Sequence, residues 1–146
     1  MGFNNGNLEK AIPWYRKSAE QGFARAQYII GECLSSGLGV QKDEQEGYGW
    51  YHRAAENGHA RAQNAVGEAF YYGTSVGQNF KLAEFWYRKA AGQDEPNAQF
   101  NLGYLCYNGL LGEKDYALGL YWYRKAATQG NIRAISTLKR LGVKLE

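Results

Sequence analysis

The stretch Ala83-Glu84-Phe85-Trp86-Tyr87-Arg88-Lys89-Ala90-Ala91 carries a Trp-Tyr pair that recurs as Trp14-Tyr15, Trp50-Tyr51 and Trp122-Tyr123. Each of these four copies lies 36 residues after the one before it. A fixed period of this size marks a stacked array of one small helical unit. One such unit cannot bury its apolar face alone, so the core is spread along the stack.

Aligning the chain on that period exposes the rest of the unit. Asn7, Asp43, Asn79 and Asp115 share one phase ahead of the pair. All four are good N-cap residues, able to accept from the orphan amides of a first helical turn. Asp43 has Glu46 three residues on, the spacing of a capping box. Each cap predicts a helix that carries the Trp-Tyr pair and ends at Gly22, Gly58, Asp94 or Gly130. A second helix follows each time, with Ala26/Ala62/Ala98/Ala134, then Ile30/Val66/Leu102/Leu138, then Gly31/Gly67/Gly103 in phase. Glycine inside a helix costs about 1 kcal/mol relative to alanine. Repeating it at one phase predicts that the partner helix comes close there.

Two places break the beat. Pro13 removes a backbone donor, so the first helix should be kinked or start late. Lys139 stands at the phase of the helix glycines, which predicts that nothing packs on it and that residues 131–146 form a terminal capping helix.

The totals fit one domain. The 146 residues are 45% apolar, and the net charge of +3 does not provide the strongly basic face expected for nucleic acid. No apolar run reaches the eighteen or so residues of a membrane span. Cys33 and Cys106 are 73 residues apart, two periods plus one. With helix diameters of about 10 Å, that is about 20 Å in a stack. A disulfide needs Cα atoms within about 7 Å. Both cysteines therefore read as reduced core thiols of a reducing compartment. The opening Met1-Gly-Phe-Asn-Asn-Gly-Asn7 lacks the basic start and apolar stretch of a secretion signal. The expected location is the cytoplasm, or the periplasm if a leader has been lost.

With Ala83–Ala91, Ala98-Gln-Phe-Asn-Leu-Gly103 and the glycine-bearing loops in view, the chain resembles SEL-one-like repeats, relatives of tetratricopeptide repeats. The resemblance covers about residues 7–141. It implies an all-α, right-handed α/α superhelical solenoid that acts as a non-catalytic adaptor for other proteins. It also implies a register: a lone second helix at 7–22, full repeats at 23–58, 59–94 and 95–130, then a lone first helix. The array thus opens on half a unit. Either a preceding helix is missing, or the bare face around Trp14 takes another partner, such as a second copy of the chain. Some secreted relatives carry a cysteine bridge in each repeat; this chain has no such pairs.

Comparing the repeats with each other separates scaffold from candidate surface. Positions alike in every copy build the stack; positions that differ are free to be specific. The variable rows are Arg25/Arg61/Asn97/Arg133, Tyr28/Asn64/Phe100/Ser136, Glu32/Glu68/Tyr104/Arg140, Ser35/Tyr71/Tyr107 and Ser36/Tyr72/Asn108. Their steps of three and four place them on one helix face. The resemblance makes that face the lining of a concave groove. The expected partner-binding residues are Arg25, Tyr28, Glu32, Arg61, Asn64, Glu68, Tyr71, Tyr72, Asn97, Phe100, Tyr104, Tyr107 and Asn108. Tyrosine suits such a surface because it pairs a large rigid ring with a hydrogen-bonding group. The asparagines could bond the backbone of an extended peptide. The competing role for any of these rings is to fill gaps between units. The adaptor reading predicts that loss of Tyr71 and Tyr107 abolishes partner binding without unfolding the chain; unfolding would make those rings core.

The basic ladder Arg16-Lys17, His52-Arg53, Arg88-Lys89 and Arg124-Lys125 is nearly invariant and reads as a solvated outer face. His52 and His59 have no Cys, Asp or Glu at metal-ligand spacing, so neither metal nor cofactor is expected. His59 reads as a turn or cap residue. Ser136-Thr-Leu-Lys139 matches the S-x-x-K nucleophile signature of penicillin-recognising hydrolases, the one alternative to an adaptor. The S-D-N and K-T-G companions of that signature are absent.

Overall fold

The caps set the element boundaries. Asp43 Oδ1 accepts from the Glu46 amide at 3.0 Å, Asn79 Oδ1 from Leu82 at 3.0 Å, and Asp115 Oδ1 from Leu118 at 3.0 Å. Each cap residue also donates its own amide backwards: Asp43 to Leu34 O, Asn79 to Phe70 O and Asp115 to Cys106 O, at 2.8, 2.8 and 2.9 Å. The same residue therefore starts one helix and fastens it to the preceding one.

The computed structural model describes residues 5–145. Part of the leader reading, which rests on residues 1–4, lies outside them. Among the described residues there are eight helices and no strand. They are α1 (Asn5–Glu20), α2 (Ala24–Ser36), α3 (Glu44–Glu56), α4 (Ala60–Tyr72), α5 (Phe80–Ala91), α6 (Pro96–Tyr107), α7 (Tyr116–Thr128) and α8 (Ile132–Arg140). Each helix packs on its neighbours in sequence. The odd helices also touch along one layer, as in the Arg16–Glu46 ion pair at 3.0 Å, and the even helices along the other, as in the Asn101–Asn64 hydrogen bond at 3.0 Å. The result is an all-α solenoid, and its core is divided into four successive clusters.

The Trp-Tyr pair explains how the layers join. Adjacent helix positions point about 100° apart, so the two rings serve different neighbours. Tyrosine packs inside its own hairpin, against the helix glycine. A Cβ added at Gly31, Gly67 or Gly103 would lie 2.7, 2.5 or 2.9 Å from a ring carbon of Tyr51, Tyr87 or Tyr123. Tryptophan packs between hairpins: Trp50 clusters with Ile12 and Ala19 of α1, and Trp86 with Ala54 and Ala55 of α3. Trp14 has no earlier outer helix among the described residues and is 74% exposed.

The turns close as the period predicts. Gly22, Gly58 and Gly130 have φ of 97°, 88° and 86°, and Asp94 takes the same left-handed conformation at φ 62°. Lys139 is exposed, as its phase predicts. Both cysteines are buried and free. Two expectations are corrected. Asn7 is not a cap, because α1 already runs from Asn5. Nor does α1 start late at Pro13, which lies inside the helix and is exposed. Asp43 makes half of the capping box: the Glu46 side chain turns away to Arg16.

One repeated element was not anticipated. Gln27, Gln63 and Gln99 are buried and share one phase. Their amides donate to Ala19 O, Ala55 O and Ala91 O at 3.1, 3.2 and 3.3 Å. Their carbonyls accept from Asn57, Gln93 and Gln129 of the next turn down the stack, at 3.0, 2.8 and 2.8 Å. This ladder of amides makes three links that tie four successive inter-helix turns together.

Candidate functional site

The variable rows lie on the even helices and line a chain of depressions between them. The tyrosine seated on each helix glycine reaches each floor. Between α2 and α4, a depression of about 440 Å³ has Tyr51 at its floor and is walled by Tyr28, Glu32, Arg61, Asn64 and Glu68. Between α4 and α6, one of about 250 Å³ has Tyr87 at its floor, with Tyr71, Tyr72 and Tyr104 around it. Between α6 and α8, one of about 530 Å³ has Tyr123 at its floor, with Phe100, Tyr104, Arg133 and Arg140 around it.

The expected residues divide by what already holds them. Tyr72 and Tyr104 are 66% and 40% exposed. They flank Tyr71, whose ring meets both edge-on at 4.8 and 6.3 Å. Tyr28, by contrast, is stacked on His59 at 4.6 Å and tilted on Tyr51 at 5.6 Å. Phe100 lies between Tyr123, at 5.4 Å, and the Arg133 guanidinium, at 4.6 Å. Tyr107 is wedged against Tyr116 at 4.8 Å, and its Cβ would meet a Cβ added at Gly119. Gap-filling is therefore part of the work of Tyr28, Phe100 and Tyr107, and the Tyr71/Tyr107 pair is a poor choice for testing binding alone.

The asparagines are also engaged. Asn64 is buried, donates to Glu68 Oε1 at 3.3 Å and accepts from Asn101 at 3.0 Å. Asn97 Oδ1 accepts from Asn131 at 3.0 Å, and Asn108 Nδ2 donates to Tyr104 O at 3.0 Å. Asn101, which also donates to Glu68 at 3.3 Å, was not among the expected residues. Its row, Ile29/Ala65/Asn101/Thr137, varies between copies and carried the signal. Arg133 and Arg140 stood in the variable rows and prove to line the last depression. Arg25 and Arg61 are exposed at the start of α2 and α4.

Burial keeps the site neutral where it is aromatic. It raises the hydroxyls of Tyr71, Tyr87 and Tyr123, and that of Tyr51 to about 12. It raises Tyr28 too, and there the hydrogen bond to Glu32 adds to the effect. These phenols stay protonated donors at neutral pH. Burial, with the Arg61 charge next in size, lowers the His59 imidazole. His59 is the N-cap of α4, its Nδ1 accepting from the Ala62 amide at 3.2 Å.

The outer basic ladder is largely occupied. Arg16 pairs with Glu46, Arg88 with Glu84 at 3.1 Å and His52 with Glu56 at 3.1 Å. Lys89 and Lys125 lie over the Phe85 and Tyr121 rings at 4.8 and 5.4 Å. Ser136 opens on the last depression, but Lys139 does not line it, so the S-x-x-K pair does not converge there. Among the described residues, no helix is long and apolar enough to cross a membrane.

Stacked helical hairpins that repeat their joints and vary one face define a repeat scaffold of the tetratricopeptide-like kind. The Sel1 repeat profile matches residues 5–23, 24–59, 60–95 and 96–131, and the chain belongs to the Sel1 repeat family. Proteins of this family generally act as protein-interaction modules. A protective antigen of uropathogenic Escherichia coli with an SLR fold is 33% identical, with a TM-score of 0.85 over 94% of this chain. A Sel1 repeat protein from Oxalobacter formigenes is 37% identical, with a TM-score of 0.81 over 91%. This chain spans 31% and 39% of the lengths of those two proteins. Helicobacter pylori cysteine rich protein B is 25% identical, with a TM-score of 0.69 over 94% of this chain and 98% of that one. No curated protein matches the sequence.

Proposed function

We propose that the chain is a non-catalytic module that holds an extended peptide or protein segment in the groove along α2, α4, α6 and α8. The supporting observation is the exposure of Tyr72 and Tyr104 beside the middle depression. Two large rings are left open to water where internal comparison finds the variable rows, while the invariant Tyr87 beneath them is buried in its joint. Rigid aromatic anchors of this sort commonly carry interface energy.

The test uses peptides selected from a random display library on the immobilised chain. Tyr72→Ala with Tyr104→Ala should weaken them about thirtyfold, the equivalent of losing about 2 kcal/mol of hot-spot contact. The thermal midpoint should hardly move, because exposed substitutions usually stay within about 0.5 kcal/mol. Selected peptides that bind the double variant as well as the parent would place recognition elsewhere.

A further inference from the structure

We infer that the groove is graded in charge and takes a segment that is basic at its α2/α4 end and acidic at its α6/α8 end. This rests on the groove reading above and adds the chemistry of the occupant. The depression over Tyr51 is lined by three carboxylates, Glu32, Glu68 and Glu95, against one guanidinium, Arg61. Arg25 stands one turn earlier on α2 and does not line it. The middle depression has Arg133 at its margin and otherwise a lining of aromatic rings and Asn101. The depression over Tyr123 has Arg133 and Arg140 as its only ionisable side chains besides tyrosine, with the Ser136 and Thr137 hydroxyls beside them.

The grading is concentrated in one row. Glu32, Glu68, Tyr104 and Arg140 occupy equivalent places on four successive inner helices, and the charge along them runs negative, negative, neutral, positive. Both carboxylates are held in place. Glu32 is bonded to Tyr28, and Glu68 accepts from Asn64 and Asn101. Arg133 is held over Phe100. Fixed charges of this kind cost little ordering on binding, and they set register and orientation more than raw affinity. Neighbouring inner helices about 10 Å apart put the end depressions about 20 Å apart. An extended chain covers that in about six residues.

The experiment uses fluorescein-labelled peptides with one common apolar centre about six residues long. One set carries two arginines at one end and two glutamates at the other, in both chain orders. The controls carry arginine at both ends, glutamate at both ends, or serine at both ends. At least one dipolar order should bind about tenfold tighter than the serine peptide, as two modest ion pairs allow. It should also bind more tightly than either uniformly charged peptide, and lose the advantage as salt rises. Arg140→Glu, an exposed change, should remove the benefit of the glutamate end and leave that of the arginine end. Serine or uniformly charged peptides that bind as tightly as the dipolar ones, yet are lost in the Tyr72→Ala, Tyr104→Ala variant, would overturn the grading and leave the groove standing. Binding that ignores that double variant, or no binding by any peptide, would overturn both.

Discussion

At Gly67, an added Cβ would lie 2.5 Å from Cδ1 of Tyr87, while at Gly49 on the open face of α3 it would meet nothing within 4 Å. The two glycines should therefore respond oppositely to alanine. Gly49→Ala gains helix propensity, about 1 kcal/mol. Gly67→Ala gains the same but must displace a buried ring, an overpacking cost of about 1–3 kcal/mol. Urea titrations should show the midpoint rising for the first and falling for the second, at unchanged slope. His59 supplies a pH test. Its imidazole titrates below the usual 6.5 in the folded chain, so the neutral form is the one that folding favours. Stability from this group is complete above pH 6.5 and is lost as pH falls through the lower folded value. His59→Asn keeps a cap of the kind Asn131 gives α8. Between pH 6.5 and 4.5, parent and variant midpoints should diverge, with the parent falling faster; parallel curves would refute the assignment. The glycine joints and the His59 cap were legible from phase alone. The state of each groove ring was not, because Tyr28 and Tyr72 look alike in sequence and differ only in what stands beside them.

Among the elements, the glutamine ladder makes the sharpest prediction. Gln99→Leu removes the donor to Ala91 O and the acceptor of the Gln129 amide. Ala91 O keeps the Asp94 amide at 3.0 Å, so the loss is two hydrogen bonds of about 1 kcal/mol each. Gln129→Ala should cost less, because Gln129 is exposed and water can replace it. Calorimetric midpoints that rank the two the other way would show that the ladder does not hold the turns. The ladder was present in the sequence as Gln27/Gln63/Gln99. Polar residues at a fixed phase invite a surface reading, and only burial shows otherwise. The first helix failed expectation for a related reason. Asp43, Asn79 and Asp115 cap because a preceding inner helix receives their amides. No such helix stands before α1 among the described residues, so Asn7 has nothing to fasten it and the helix runs through. Pro13 is tolerated because Ile12 and Ala19 still bury the inward face of α1.

Over the whole molecule, the described residues make their helix contacts between neighbours along the stack, so stability is close to a sum of unit and joint terms. Amide exchange should be slowest in α3, α4, α5 and α6, which have partners on both sides in both layers, and fastest in α1 and α8. Uniform protection across the eight helices would mean that the array melts as one body. The repeat beat made the architecture legible at this scale, and the variable rows line the depressions between the inner helices. The sign of the field along them emerged only when Arg133 and Arg140 were seen to share a depression that no carboxylate enters.

The ring-on-glycine seat has a bearing on how such a molecule can change. Because Tyr51, Tyr87 and Tyr123 dock in interchangeable notches, a unit that runs from one ring to the next glycine, such as α3 with α4, meets the same fitting on either side when it is duplicated or excised. Lineages can lengthen the stack or rewrite one wall without renegotiating the hinge between modules. New specificities then arise by editing single rungs.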